Sequence, residues 1–179
     1  MATPTRTFVE GRYVPAGPWA AQKIEDQVDH LKGSFRPGEA REERTLFDAR
    51  GDVADRTTAR ALLTAAIGPK VVFHRLVLSP GARSGVARPT DLRTWTRLLL
   101  MDLGDRLGQR LVWVAAAHRN TDDPHVHVLL AGAAVRTRWP GAGTTTSVEL
   151  RTPHYALVRE RGDVRAAEIR ALNGDGTAA

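Results

Sequence analysis

The sequence predicts an α+β fold: a two-layer sandwich, with a central antiparallel sheet and helices on one face. Three observations carry this. The order of elements in the hydrophobic periodicity is strand, helix, strand, hairpin, strand, helix. The run "KVVFHRLVLSP" is rich in β-branched residues and stops at Pro80, as a strand does. The segments "RLVWVAAAH" and "PHVHVLLAG" are joined only by "RNTDD", a link of turn formers and hairpin length, which makes them antiparallel neighbours.

The elements follow in chain order. The first twenty residues hold three prolines and read as an arm, with a short strand around "RTFVEGRYV". Residues 19–32 set Trp19, Ile24, Val28 and Leu31 at helical spacing. "GSFRPGEAREERT" then breaks the helix with Gly and Pro and carries mixed charge, so it reads as a loop. "DVADRTTARALLTAAIG" predicts a second helix ending at Gly68. After the strand that ends at Pro80 comes the loop "GARSGVARP". Thr90 or Asp91 then caps a helix whose Leu92, Trp95, Leu99, Leu103 and Leu107 line one face, with Leu98 beside them. The hairpin follows. "AAVRTRWPGAGTTTS" reads as an exposed connection, "VELR" as a brief strand, and "HYALVRERGDVRAAEIRAL" as a last helix with Gly162 its weak point. "NGDGTAA" reads as a frayed tail. The expected organisation is one domain: an arm and helices over residues 1–70, a core over 71–172 and a tail over 173–179.

Composition narrows the function. The chain has 179 residues and no cysteine, which excludes disulfides, thiolate nucleophiles and sulfur-ligated metals. A cysteine-free chain with no run of membrane-span length and no signal-like N-terminus fits a reducing cytoplasm. Lys plus Arg is 26 against 20 acids, a net charge of +6. All but Lys23, Lys32 and Lys70 of these bases are arginines, which pair bidentately with phosphate and stack on bases. A GC-rich genome produces the same preference, so charge alone admits a nucleic-acid partner without requiring one.

The informative stretch is "HRNTDDPHVHVLLAG", with three of the chain's six histidines within ten residues. On a strand, residues i and i+2 share a face, so His125 and His127 project together while Val126 points the other way. His118 ends the preceding strand, and hairpin pairing brings it across from that pair. Three neutral imidazoles suit Zn, Mn, Co, Ni or Cu and leave coordination positions open for chemistry. An isolated histidine on a strand more often serves structure. The apolar strand behind these three would hold them rigidly and lower the local dielectric.

These residues resemble a family. "HRNTDDPHVHVLLAG" is similar to the metal motif of the HUH endonucleases, in which two histidines bracket a hydrophobic residue. More narrowly, it resembles that of HUH-superfamily conjugative relaxases of the mobilisation-protein nickase group. "HRLVLSP", "LFDARGDVADR" and the order of the following helix and strand agree with that group over roughly residues 28–172. The resemblance implies a single-strand DNA nickase of plasmid or mobile-element DNA. In it His118, His125 and His127 hold a divalent ion, Mg or Mn, with Zn, Co and Ni as alternatives. A tyrosine attacks the scissile phosphate, leaving a covalent 5'-phosphotyrosine and a 3'-hydroxyl. The implied partners are single-stranded DNA at a transfer or replication origin, accessory relaxosome proteins and a secretion coupling protein.

The chain departs from the family at the nucleophile. The family's tyrosine would fall at about Gly33 to Phe35, in "DHLKGSFRPGE", where Ser34 is a poor substitute. Three candidates remain. Tyr155 stands four residues before Arg159, the spacing that replication initiators of the same superfamily use on the helix after the motif strand. Tyr13 lies in the arm, and His30 is the histidine option. Arg136, Arg138 and Trp139, in the loop after the motif strand, are candidates to hold phosphates and stack bases, with Arg83 and Arg88 behind them. Asp122 and Asp123 read as turn formers or as partners that orient a histidine, and Asn120 stands where related proteins have Asp. His74 reads as structural. Two other readings stay open: a nicking-deficient DNA-binding accessory protein, and an unrelated His-ligated metalloenzyme. Cupins carry a Glu soon after their His-x-His, whereas "VLLAG" after His127 holds no acid.

Overall fold

The computed structural model describes residues 6–33, 44–81, 84–86, 88–118, 123–139 and 141–174. Its elements are β1 (Phe8–Pro15), α1 (Ala20–Gly33), β2 (Leu46–Phe47), α2 (Arg56–Thr64), β3 (Val71–Ser79), α3 (Pro89–Leu107), β4 (Gln109–Arg110), β5 (Trp113–His118), β6 (His125–Ala131), β7 (Ala133–Arg136), β8 (Thr145–Ser147) and α4 (Thr152–Gly174). The main sheet is antiparallel throughout, in the order β1-β3-β6-β5-β2, with β6 at its centre. A second sheet, β4-β7-β8, continues past the end of β6. The α+β sandwich expected from the periodicity is the architecture found.

Strand alternation assigns each side chain a face. Val126, Val128 and Leu130 of β6, with Leu76 and Leu78 of β3, pack in one core with Trp95, Leu99 and Leu103 of α3 and with Val158 and Ile169 of α4. Leu129 and Ala131, with Val114 and Ala116 of β5, pack on the other face with Ile24 and Val28 of α1 and with Leu63 of α2. The expected single helical layer therefore holds for α3 and α4, and α1 and α2 cover the opposite face as well. Burying each of these Val, Leu and Ile side chains contributes about 1.5–3 kcal/mol, which is what holds the layers together.

Local chemistry sets the element ends. Asp55 caps α2, its carboxylate accepting from the Thr58 N–H at 2.7 Å. The helix stops at Thr64, short of the Gly68 expected from the sequence, because the chain there turns into β3: the Gly68 N–H donates to the carbonyl of Val71, the first residue of that strand, at 2.9 Å. α3 starts before Thr90 and Asp91. Arg88 occupies the cap position and Pro89 the first turn, where a fixed φ and a missing N–H cost nothing.

Three expectations change. The arm is a full eight-residue edge strand, paired with β3 from Phe8↔Ser79 onward, so the sheet draws strands from both sides of residue 70. The strand expected in "VELR" lies earlier, at β8, and the start of the "exposed connection" is β7. Gly162 is no weak point: α4 runs through it, a Cβ there would come within 2.5 Å of Thr7, and its carbonyl accepts from Trp95 Nε1 at 2.9 Å. No helix among the described residues is long and apolar enough to cross a membrane.

Candidate metal centre

β5 ends at His118 and β6 begins at His125, and the two residues face each other directly in the register. Ala116 faces His127, so His118 also lies diagonal to His127, on the same face. The result is a cluster on the α1/α2 face of the sheet. Ring centroids are 4.2 Å apart for His118–His127, 5.0 Å for His118–His125 and 5.1 Å for His125–His127. One ring nitrogen from each lies within 4.8 Å of the others, and among the described residues this is the group of His, Asp or Glu able to hold a metal ion. Three nitrogens bound tetrahedrally would sit about 3.4 Å apart, so the rings need only close slightly.

The donors fit an ion. His118 is 8% exposed, and its Nε2 is buried without a hydrogen-bond partner. A buried, unpaired nitrogen costs free energy unless something else takes its lone pair. The His125 Nδ1 is 2.9 Å from the Asp123 carbonyl, which only accepts, so the ring is protonated there and Nε2 is left to ligate. The carbonyl of Asp123 thus orients the ring, while Asp122 and Asn120 lie outside the described residues. Burial, then the charges of His127, Arg44, His125 and His30, push His118 down to about 3. Burial, then His125, His30, Arg44 and Arg75, push His127 down to about 4. Both rings are therefore neutral at neutral pH, the form a metal requires.

The nucleophile candidates separate by face. Tyr13 pairs with His74, and His74 with Leu130, which places Tyr13 on the α3/α4 side. It is also three residues along the sheet from the level of His127, about 10 Å. Tyr155 packs on that same side, under β1: a Cβ on Gly11 would fall 2.4 Å from its Cε1. Burial raises its pKa, which disfavours a phenolate. Neither hydroxyl reaches the imidazoles, because the sheet stands between them. Arg159 turns to the same side and donates to the Val9 carbonyl at 3.5 Å. His30, in the last turn of α1, shares the face of the triad; its charge is felt at His118 and His127, and burial followed by Arg75 and Arg44 lowers its own pKa. Ser34 lies outside the described residues.

The basic loop is also elsewhere. β6 leads away from the histidines into β7, so Arg136, Arg138 and Trp139 stand at the opposite end of the sheet. Arg138 donates to the Asp105 carbonyl at the end of α3, and Trp139 is exposed there. Arg88 is engaged with Asp91 at 2.7 Å and with Asn173. Arg83 lies outside the described residues. His74 has the structural role expected: buried, its Nε2–H donates to the Val148 carbonyl at 2.9 Å, tying β3 to the start of the segment that leads into α4.

Two bases that the sequence did not single out do flank the triad. Arg75 pairs with Leu129, which has the parity of His127. The alternation of "HRLVLSP" against the motif strand carries that signal, once the strands are known to be neighbours. Arg44 sits in the mixed charge run before β2, and nothing in the sequence distinguishes it from the arginines around it. A comparison with protein-family models finds none that matches this chain, and no curated protein matches it either.

Proposed function

We propose that this protein is a metal-dependent single-strand DNA endonuclease of the relaxase type, nicking plasmid or mobile-element DNA by transesterification through a covalent protein–DNA link. The observation that carries the reading is the convergence of three imidazoles from two adjacent strands, two of them (His118 and His127) held neutral, on a face also lined by Arg44, Arg75 and His30. His118, His125 and His127 would hold the ion; Mg or Mn is the family's choice, an all-imidazole donor set suits Mn better than Mg, and Zn, Co and Ni, which bind imidazole more tightly than Mn, are the alternatives. A bound divalent ion supplies charge stabilisation at a phosphate oxygen.

The chain's own groups supply the rest. Among the three nucleophile candidates, only His30 shares the face of the triad. Its lowered pKa favours the neutral ring with a free lone pair. In the proposed step a His30 nitrogen bonds to phosphorus as the P–O3' bond breaks. The 3'-oxygen leaves and takes up a proton, and the imidazolium formed on His30 loses one, leaving a 5'-phosphohistidine and a 3'-hydroxyl.

The test is formation of a denaturation-resistant adduct with a labelled, randomised single-stranded DNA library in Mn(II). His30→Gln reduces the adduct by on the order of 10³ or more, while Tyr13→Phe and Tyr155→Phe retain it. The position of both tyrosines behind the sheet favours one second reading, a DNA-binding accessory protein that does not nick. That reading predicts DNA retention with no adduct from any of the four proteins.

A further inference from the structure

Among the described residues, nothing satisfies the charge of Arg44. It is 8% exposed, and its Nε and Nη1 are buried with no hydrogen-bond partner. Among the described residues it forms no ion pair. Its backbone is fixed: the N–H donates to the Lys32 carbonyl at 3.2 Å, and two residues on Leu46 pairs with Ala116 of β5. Continuing that antiparallel register brings Arg44 opposite His118, on the face of the triad. Its charge is felt at three imidazoles there, His118, His127 and His30. Arg75 projects from β3 onto the same face and is exposed.

An isolated buried guanidinium is costly, and folds retain one where a partner arrives in function. Nothing acidic among the described residues fills that role. A guanidinium presents a planar fork that matches two oxygens of a phosphate, and the low dielectric around a buried one strengthens the pairing. We propose that Arg44, with Arg75 at its mouth, forms an oxyanion subsite beside the imidazole triad that grips one phosphate group of the substrate. The inference rests on the phosphodiester reading above and adds the residue that positions the phosphate. It also predicts something a purely structural arginine would not: Arg44 destabilises the free protein and stabilises the complex.

The experiment uses the full chain in metal-stripped buffer at constant ionic strength, so that it does not depend on an ion. Replacing chloride with inorganic phosphate raises the melting temperature by about 3–6 °C at tenfold over the dissociation constant. Arg44→Gln abolishes that rise and melts no lower than the parent in chloride. Arg44→Lys, which keeps the charge and loses the fork, retains less than half of it. In the parent protein the Arg44 Nε–Hε resonance moves with phosphate, a readout that needs no variant to fold. A rise that survives in Arg44→Gln, or a stationary resonance, overturns the subsite. A short thymidine oligonucleotide is the second probe: tenfold weaker binding in Arg44→Gln identifies nucleic-acid phosphate as the occupant. A response to phosphate but not to oligonucleotide overturns the proposed role in DNA. Mn(II) binding, read separately, distinguishes the two accounts. Its loss with the Arg44 response intact removes the metal reading alone.

Discussion

At the scale of single residues, the site is defined by how far two of its histidines, His118 and His127, are from their ordinary chemistry. An imidazole normally loses its proton near pH 6.5 and competes with metals below that. His118 and His127, pushed down to about 3 and about 4 by burial and neighbouring positive charge, add no proton competition until the solution is near pH 4. The logarithm of the Mn(II) association constant should therefore fall with a slope no greater than one between pH 7 and pH 5. A slope near three, measured by calorimetry, would mean that the rings are solvated and ordinary. The histidine motif was legible in the sequence because period-two alternation and hairpin spacing are local facts. Arg44 was not, since its importance comes from burial and from a register set by a two-residue strand.

Elements place these residues, and their contacts show what the periodicity reported. β3, β5, β6 and α3 were legible because each has a long, regular apolar pattern of its own. β1 was legible as a short strand but not as a member of the main sheet, and β7 and β8 were not legible, because short or edge strands with polar outer faces take their identity from the partner they pair with. The same limit hid the side to which Tyr155 turns: helical spacing relative to Arg159 says nothing about which face of a sheet a helix covers. That choice is fixed by α3 and α4 docking together. Asp102 of α3 accepts from Arg165 at 2.7 Å and from Arg161 at 3.0 Å. Burial alone would raise the Asp102 carboxyl, but those hydrogen bonds and charges outweigh it and hold the group below its usual range. Asp102→Asn should cost about 1–3 kcal/mol at pH 7, leaving two arginines short of a partner. Because the folded carboxyl is depressed, its contribution is complete above about pH 4 and is lost as pH falls through the depressed value. Parent and variant denaturation midpoints should converge there; a difference that persists unchanged at lower pH would assign the loss to packing instead.

For the molecule as a whole, the account reduces to a sheet with two unlike faces. One face is closed by α3 and α4 and holds Tyr155 and the tip of Trp95's hydrogen bond to Gly162. The other, under α1 and α2, opens at one end onto three imidazoles, His30 and two arginines. Chemistry on the open face should be insensitive to damage on the closed one. Gly11→Ala drives a methyl into the Tyr155 ring and should lower stability by about 1–3 kcal/mol without touching the metal site. The decisive measurement is a Mn(II) titration by calorimetry of the parent, His127→Ala and Gly11→Ala proteins. The account predicts one ion per chain for the parent and for Gly11→Ala, and no measurable binding for His127→Ala. Binding that persists in His127→Ala, or none in the parent, would contradict it.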